Sequence, residues 1–435
     1  DFVAFFRNKG LRGPKYDDEN DLLCLLFADD ILIFADSHHD AQIKLDVLLE
    51  YCKVNGLSVN TQKTNVMVFR SSPKFNRYIP LTYDDKEIKY VNNVTYLGVP
   101  FSCIGVFRVA SESFYKKGLK ALGKVREVLA RGKSDSWEVK IRLFESVVAA
   151  TALYSSELWA LGYLETLERL QMCFFKQLYH LPFNTPNHFV RTETGCKDIR
   201  VTVLERTLNL WLQVLRMSPN EPLKKCFDVM IKYLTTINLL SHSKNHWFLH
   251  LNNTLGTIGL PAIYNFNSTE VLLHFKADII ERWTNHLRSQ DVNRVLNSKY
   301  NPFFRQLTAF GEGERYITER MPIKQQRVLC QLRLSNINLV RLFLNGERVS
   351  INASTICDLC NTKEPLTLVH FLLKCPIYRS YRKEFLAQYI DRSDNEEDSL
   401  ARLLNITDGN QLKNVFKFVE CAIKMRNFIL DLYET

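Results

Sequence analysis

Leu25-Leu26-Phe27-Ala28-Asp29-Asp30-Ile31-Leu32-Ile33-Phe34 sets two adjacent carboxylates between two apolar, β-prone runs. Runs of that kind predict buried strands. The one sharp break is Ala28-Asp29-Asp30, which predicts a tight hairpin with the acids at its tip. Ionised carboxylates beside a buried sheet are costly unless a positive charge compensates them. Mg²⁺ is the usual partner of aspartates held this way in phosphate chemistry. Asp is also a common turn residue, so an ordinary solvated Asp-Asp turn explains the same letters without a metal.

The chain after the hairpin reads as a helix. Asp40 is a candidate cap, and Leu45, Leu48, Leu49 and Cys52 recur on one face. Gly56 suits the position just past its end. Gly56-Leu57-Ser58-Val59-Asn60-Thr61-Gln62-Lys63-Thr64 leads into a short strand, Val66 to Phe69. A polar loop then precedes a further strand pair carrying Val94-Thr95-Tyr96-Leu97-Gly98-Val99. Hairpin, helix, strand and strand predict an α+β layout, with helix on one face of an antiparallel sheet.

Phe27-Ala28-Asp29-Asp30, then Gly56 to Thr64, then Tyr96-Leu97-Gly98, in this order and spacing, resembles the palm of a reverse transcriptase. The nearest resemblance is to the non-LTR (LINE-type) retrotransposon class. It implies that Asp29 is a ligand of a catalytic Mg²⁺ pair, with Asp30 supporting it. It implies that Lys63 lies near the phosphates of the incoming nucleotide, and that Tyr96, Leu97 and Gly98 belong to a primer-gripping hairpin. The partners implied are an RNA template and a DNA primer or target DNA. The residue types suit this chemistry. Attack of a primer 3′-hydroxyl on a phosphorus builds negative charge on the entering and leaving oxygens, and two Mg²⁺ about 3.5–4 Å apart stabilise both. A lysine neutralises charge on the leaving group. Read alone, Lys63 is a surface lysine and Tyr96 to Gly98 a strand end with a bulge-forming glycine.

A complete site of this kind takes a further Asp from an earlier strand. Residues 1–26 hold Asp17, Asp18, Glu19 and Asp21 in a charge-dense loop, not in a strand. The expectation is therefore a fragment: the back part of the palm plus the regions C-terminal to it, unable to polymerise alone.

The remainder predicts helices. Tyr115, Leu119, Leu122, Val125 and Leu129 make an apolar stripe. Lys116, Lys120 and Lys124 repeat every fourth residue, with Lys117 beside them and Arg131 and Lys133 closing the segment. Gly132 is a candidate stop, and Asp135 with Glu138 resembles a capping box for the next helix, which carries Lys140 and Arg142. By its position after the palm this basic pair resembles a thumb that tracks the template–primer backbone; the alternative is a solvated helix face. Leu164, Leu167, Leu170, Phe174 and Leu178 form another stripe. Arg191, Glu193 and Gly195 fit the family pattern too, but read best as core or turn residues.

Cys357-Asp358-Leu359-Cys360 followed by His370 and Cys375 gives C-x2-C-x9-H-x4-C. Three thiolates and an imidazole complete a tetrahedral shell with no open position, which predicts a structural zinc knuckle rather than a catalytic metal. Asn361 to Glu364 and Pro365 read as the loop that returns the chain, and His370 and Cys375 as lying at the start of a helix running through Phe385. The alternative is buried free cysteines and a core histidine. In the resembled family such an element contacts nucleic acid, and Arg379, Arg382 and Lys383 supply nearby charge.

The chain has 435 residues, 46% of them hydrophobic, a net charge of +10 and eleven cysteines. That suffices for a sizeable core and favours an anionic partner. The odd cysteine count and the lack of a secretory signal predict a reducing, intracellular setting, and the resemblance implies the nucleus when chromosomal DNA is the target. The expected division is a partial palm (1–104), a helical thumb and connection (105–220), a helical region (221–350), the zinc knuckle (351–390), and a linker and helix (391–435). Two function classes remain: part of an RNA-directed DNA polymerase, or a non-catalytic nucleic-acid-binding relic or domesticated protein using the thumb and knuckle.

Overall fold

The structure, a computed structural model, describes residues 1–70, 79–236, 247–311, 313–391 and 395–434. Two units emerge, each assembled from separated stretches of chain. Asp1–Ser113, Glu157–Tyr163 and Arg206–Lys276 form the first; Phe114–Ser156, Leu164–Glu205 and Ala277–Thr435 form the second.

In the first unit, helix α1 (Phe2–Asn8) precedes an antiparallel pair, β1 (Cys24–Phe27) and β2 (Asp30–Ile33). Helix α2 (His38–Val54) comes next. Ser37, not Asp40, caps α2: its hydroxyl accepts the Asp40 N–H at 3.1 Å. Asp40 instead pairs with the buried Lys44 at 2.6 Å. Gly56, at φ +65°, takes the left-handed position past the helix end. Strands β3 (Asn65–Val66), β4 (Leu81–Tyr83) and β5 (Lys86–Tyr90) make a sheet in the order β3-β5-β4, with β3 parallel to β5. The strand expected over Val66 to Phe69 stops at Val66, because its partner β5 ends at Tyr90. Val68 and Phe69 are left exposed. Strands β6 (Asn93–Tyr96) and β7 (Val99–Ser102) form a second hairpin.

Phe2, Phe6, Leu23, Leu48, Tyr51, Cys52, Tyr83 and Ile88 form the core beneath these elements. Cys24 and Ile33, the base of the β1–β2 hairpin, pack against it. The flanks nearer the tip differ from the sequence reading: Leu25, Leu26, Phe27 and Ile31 are 40%, 48%, 61% and 46% exposed rather than buried. The reason is topological. Among the described residues β1 and β2 pair only with each other, so no third strand covers the ribbon beyond its base.

Helices later in the chain include α3 (Arg108–Gly132), α4 (Trp137–Leu143), α5 (Leu164–Leu178), α6 (Asn187–Thr194), α7 (Ile199–Arg216), α8 (Pro222–Thr236), α9 (Trp247–Thr257), α10 (Thr269–Leu296), α11 (Ile323–Leu334) and α12 (Gly409–Glu434), and Glu396–Leu404, in the stretch expected to be a linker, is helical as well, capped by Asn395. In the first unit Trp211, Phe227, Trp247 and Phe248 of α7, α8 and α9 meet in edge-on and tilted ring contacts.

In the second unit α3 lies close on α5 through Gly118. A Cβ there would meet Leu170 Cδ2 at 2.5 Å and Ala152 Cβ at 3.2 Å. Leu167, Leu170, Phe174 and Leu178 of α5 are buried, as their spacing predicts. Arg191 of α6 makes a two-pronged bond to Asp291 of α10, 2.6 Å at each prong, and also reaches Glu168 of α5. Arg333 of α11 is fully buried and pairs with Glu193 at 2.6 Å and Glu314 at 3.0 Å. It also donates to the Leu307 and Leu404 carbonyls. Arg191 and Glu193 are thus core residues held in satisfied ionic networks, which is how buried charge is tolerated.

The stretch expected to be a helical region, 221–350, contains most of a β-hairpin, β8 (Leu339–Leu344) and β9 (Glu347–Asn352). Its period is two: Val340, Leu342 and Leu344 are buried, with Arg341 exposed between them. Asn345 and Gly346 turn it with positive φ at both positions, the hairpin signal that a helical reading passes over.

Candidate functional site

Ala28 and Asp29 form a two-residue turn between Phe27 and Asp30, which face each other across the ladder. Ala28 takes φ +49°, the positive value that lets a two-residue turn match the twist of its strands. Asp29 stands on the turn and Asp30 opens β2; both are exposed. Neither side chain is used in an ion pair or hydrogen bond among the described residues. Both carboxylates are therefore available to a cation. Only Cys357, Cys360, His370 and Cys375 form a cluster of three or more potential metal ligands among the described residues, so no third acid joins Asp29 and Asp30.

Lys63 is exposed in a turn organised by Asn60, whose side-chain oxygen accepts the Gln62 and Lys63 N–H groups at 3.1 and 3.2 Å. Tyr96, Leu97 and Gly98 lie at the tip of the β6–β7 hairpin, where Tyr96 faces Val99. Leu97 and Gly98 both have positive φ, +48° and +81°, so this is a tight two-residue turn rather than a bulge.

On α3, Leu122 and Val125 are buried, together with Phe114. Lys116, Lys117, Lys120, Lys124 and Arg131 are exposed. At about 100° per residue these five fall within an arc of about 100°, and at 1.5 Å per residue they extend about 22 Å along the axis. Lys117 lies over the Phe114 ring at 4.8 Å, and Arg131 pairs with Glu127. The left-handed residue after the helix is Lys133 at φ +46°, with Gly132 still helical. Two expectations for the next helix change. Ser136, not Asp135, caps α4 by accepting the Val139 N–H. Lys140 is buried and donates to the Asp135 carbonyl at 2.9 Å, so it is not available to an external phosphate. Burial lowers its pKa to about 8.

Near the C-terminus, Cys357, Cys360, His370 and Cys375 bring one ligand atom each to within 4.8 Å of one another. Cys360 Sγ and His370 Nε2 are 3.4 Å apart. A tetrahedral zinc with Zn–S about 2.3 Å and Zn–N about 2.0–2.1 Å sets its ligand atoms about 3.5–3.8 Å apart, so this donor set fits one. Backbone N–H groups approach each thiol, yet burial outweighs them at Cys357 and Cys375 and holds both thiols above their ordinary range. Cys357 accepts backbone N–H bonds from Leu359 and Cys360, Cys360 from Thr362, and Cys375 from Ile377. Burial pushes the Cys360 thiol up, but bonds from the Thr362 side chain and backbone, Cys357 and His370 outweigh it and bring it to about 7. Burial, reinforced by the neighbouring thiols, pushes Cys375 up to about 12.

The helix expected from His370 through Phe385 is broken at Cys375, whose backbone is extended (ψ 120°), and Pro376 starts the next turn. Arg382, read as charge for nucleic acid, turns inward and donates to the Cys375 and Leu372 carbonyls at 2.7 and 3.0 Å. Lys374 pairs with Glu396 at 2.6 Å. Phe371 and Tyr378 pack edge-on against each other and against Phe418 of α12. The sequence reading passed over Glu364, whose carboxylate lies 2.9 Å from His370 Nδ1. An acid six residues before a histidine is a faint signal among so many surface acids.

Residues 8–101 match the family model described as reverse transcriptase (RNA-dependent DNA polymerase). The matched segment contains the Asp29–Asp30 turn, Lys63 and the Tyr96–Gly98 turn, and ends before α3 and the Cys/His cluster. No described helix is long and apolar enough to cross a membrane.

Proposed function

We propose that this chain is part of an RNA-directed DNA polymerase of the non-LTR (LINE-type) retrotransposon class. The observation that carries the reading is the Asp29–Asp30 turn inside the reverse-transcriptase-like segment. In it, Asp29 ligates Mg²⁺ with Asp30 beside it, Lys63 meets the nucleotide phosphates, and Tyr96 to Gly98 hold the primer. The Mg²⁺ pair supplies charge stabilisation for nucleotidyl transfer. Residues 1–104 are the partial palm, 105–220 the thumb and connection, 221–350 a region without assigned chemistry, 351–390 the zinc knuckle, and 391–435 a linker and helix. The basic face of α3, with Lys133 after it, binds the backbone of an RNA template paired with a DNA primer or target DNA. Action on chromosomal DNA would place the protein in the nucleus.

Cys357, Cys360, His370 and Cys375 hold a structural Zn²⁺. Their closed shell leaves no position for a reacting group. The ring packing of Phe371 and Tyr378 on Phe418 favours a role as a clamp for the C-terminal helix.

A second reading has its own support. Asp29 and Asp30 gather no third acid among the described residues, which favours a nucleic-acid-binding chain without catalysis. Primer extension on an RNA template tests whether the chain catalyses by itself. The 435-residue polypeptide with Mg²⁺ is expected to yield no labelled product. Product that appears with wild type and disappears with Asp29→Ala would show that these residues complete the catalytic site by themselves.

A further inference from the structure

The loop between the Cys-x2-Cys turn and His370 reads in sequence as a spacer, yet one residue in it bonds to both halves of the ligand set. The backbone carbonyl of Glu364 accepts the Cys357 N–H at 2.9 Å. Its carboxylate accepts from His370 Nδ1 at 2.9 Å. His370 is 2% exposed, and its other ring nitrogen faces Cys360 Sγ. We propose that Glu364 is the positioning residue of the metal centre, holding His370 with its proton on Nδ1 and its Nε2 lone pair directed at the ion, and tying that ligand to the Cys357–Cys360 turn.

A neutral imidazole carries its proton on either nitrogen, and only the Nδ1–H form can ligate through Nε2. A carboxylate at Nδ1 selects that form, fixes the ring plane and strengthens the ligand. Thr362, whose Oγ1 is 3.1 Å from Cys360 Sγ, adds a further contact around the same shell. Glu364 is not packing material: its side chain is 44% exposed against 2% for His370. Truncating it therefore leaves the surrounding core in place while removing the contact to the ring.

The inference rests on the reading of these four residues as a zinc site, and the test separates the two. Zinc affinity of the full chain is measured by competition with a chelator of known affinity, and the Co²⁺-substituted protein gives the ligand-field spectrum. Wild type is expected to bind one zinc, and Cys357→Ser with Cys360→Ser to bind none. Glu364→Ala is expected to bind about 10–100-fold more weakly, with a shifted Co²⁺ spectrum and unchanged metal-free melting. Glu364→Gln, whose amide oxygen still accepts the Nδ1 proton, is expected to recover most of the affinity. Glu364→Ala with wild-type affinity and spectrum would overturn the positioning role and leave the zinc reading standing. Wild type that takes up no zinc would overturn both.

Discussion

Glu314 shares the Arg333 guanidinium with Glu193, and that sharing gives this protein a pH-sensitive point in its core. Glu193 takes the two-pronged contact at 2.6 and 3.2 Å, and Glu314 takes a nitrogen at 3.0 Å. Burial and then the nearby Glu193 charge push Glu314 up to about 7, with Arg333 working the other way. A carboxyl whose folded pKa exceeds its unfolded one gives stability that is complete below about 4.5 and is lost as pH rises through about 7. His180 and His188 have the opposite sign. Burial lowers both to about 4, so their contribution is present above about 6.5 and lost on acidification. The three overlap, so the prediction concerns a difference. Glu314→Gln minus wild type should become more favourable between pH 5 and 8, by at most about 3 kcal/mol. Urea melts at both pH values test it, and a difference that is flat with pH would show that Glu314 is ionised throughout. None of this was legible in the sequence. Glu193 and Glu314 are 121 positions apart, and nothing local to either marks a shared guanidinium.

At the scale of elements, legibility tracked periodicity. The α5 stripe, the Gly56 stop and the C-x2-C-x9-H-x4-C pattern are local signals, and the structure brings Cys357, Cys360, His370 and Cys375 together. The Asp29–Asp30 hairpin was legible as a turn but not in its exposure. Leu25 to Phe27 have the composition of buried strands, while burial depends on neighbours that composition cannot name. The cap of α2 moved to Ser37 because several polar residues compete for one helix start. The Cys/His element makes the firmest prediction at this scale. Phe371 and Tyr378, beside the ligands, pack on Phe418 at the centre of α12. Metal removal should therefore loosen α12. Treatment with a strong zinc chelator is expected to lower the melting temperature and to speed amide exchange over Val415 to Ile423, since zinc that holds a fold together contributes its binding energy to stability. Unchanged exchange there would detach the metal site from the packing of α12.

For the whole molecule, the +10 charge becomes informative through its placement. Many cations are consumed internally: Lys44, Lys140, Arg191, Arg333 and Arg382 all bond to protein carbonyls or carboxylates. The α3 lysines Lys116, Lys117, Lys120 and Lys124 remain outward, on one face about 12 Å long, enough to meet two or three phosphates. We propose that this chain grips a template–primer through that face. The direct measurement is the affinity for an RNA–DNA template–primer over a range of salt, for wild type and for Lys116→Glu, Lys120→Glu, Lys124→Glu combined. Each lost phosphate contact removes about 0.7–0.9 from the slope of log affinity against log salt. Wild type is expected to bind with a steep slope, and the triple variant to bind more weakly with a slope shallower by about 2. Equal affinity and equal slope in the two proteins would contradict the claim.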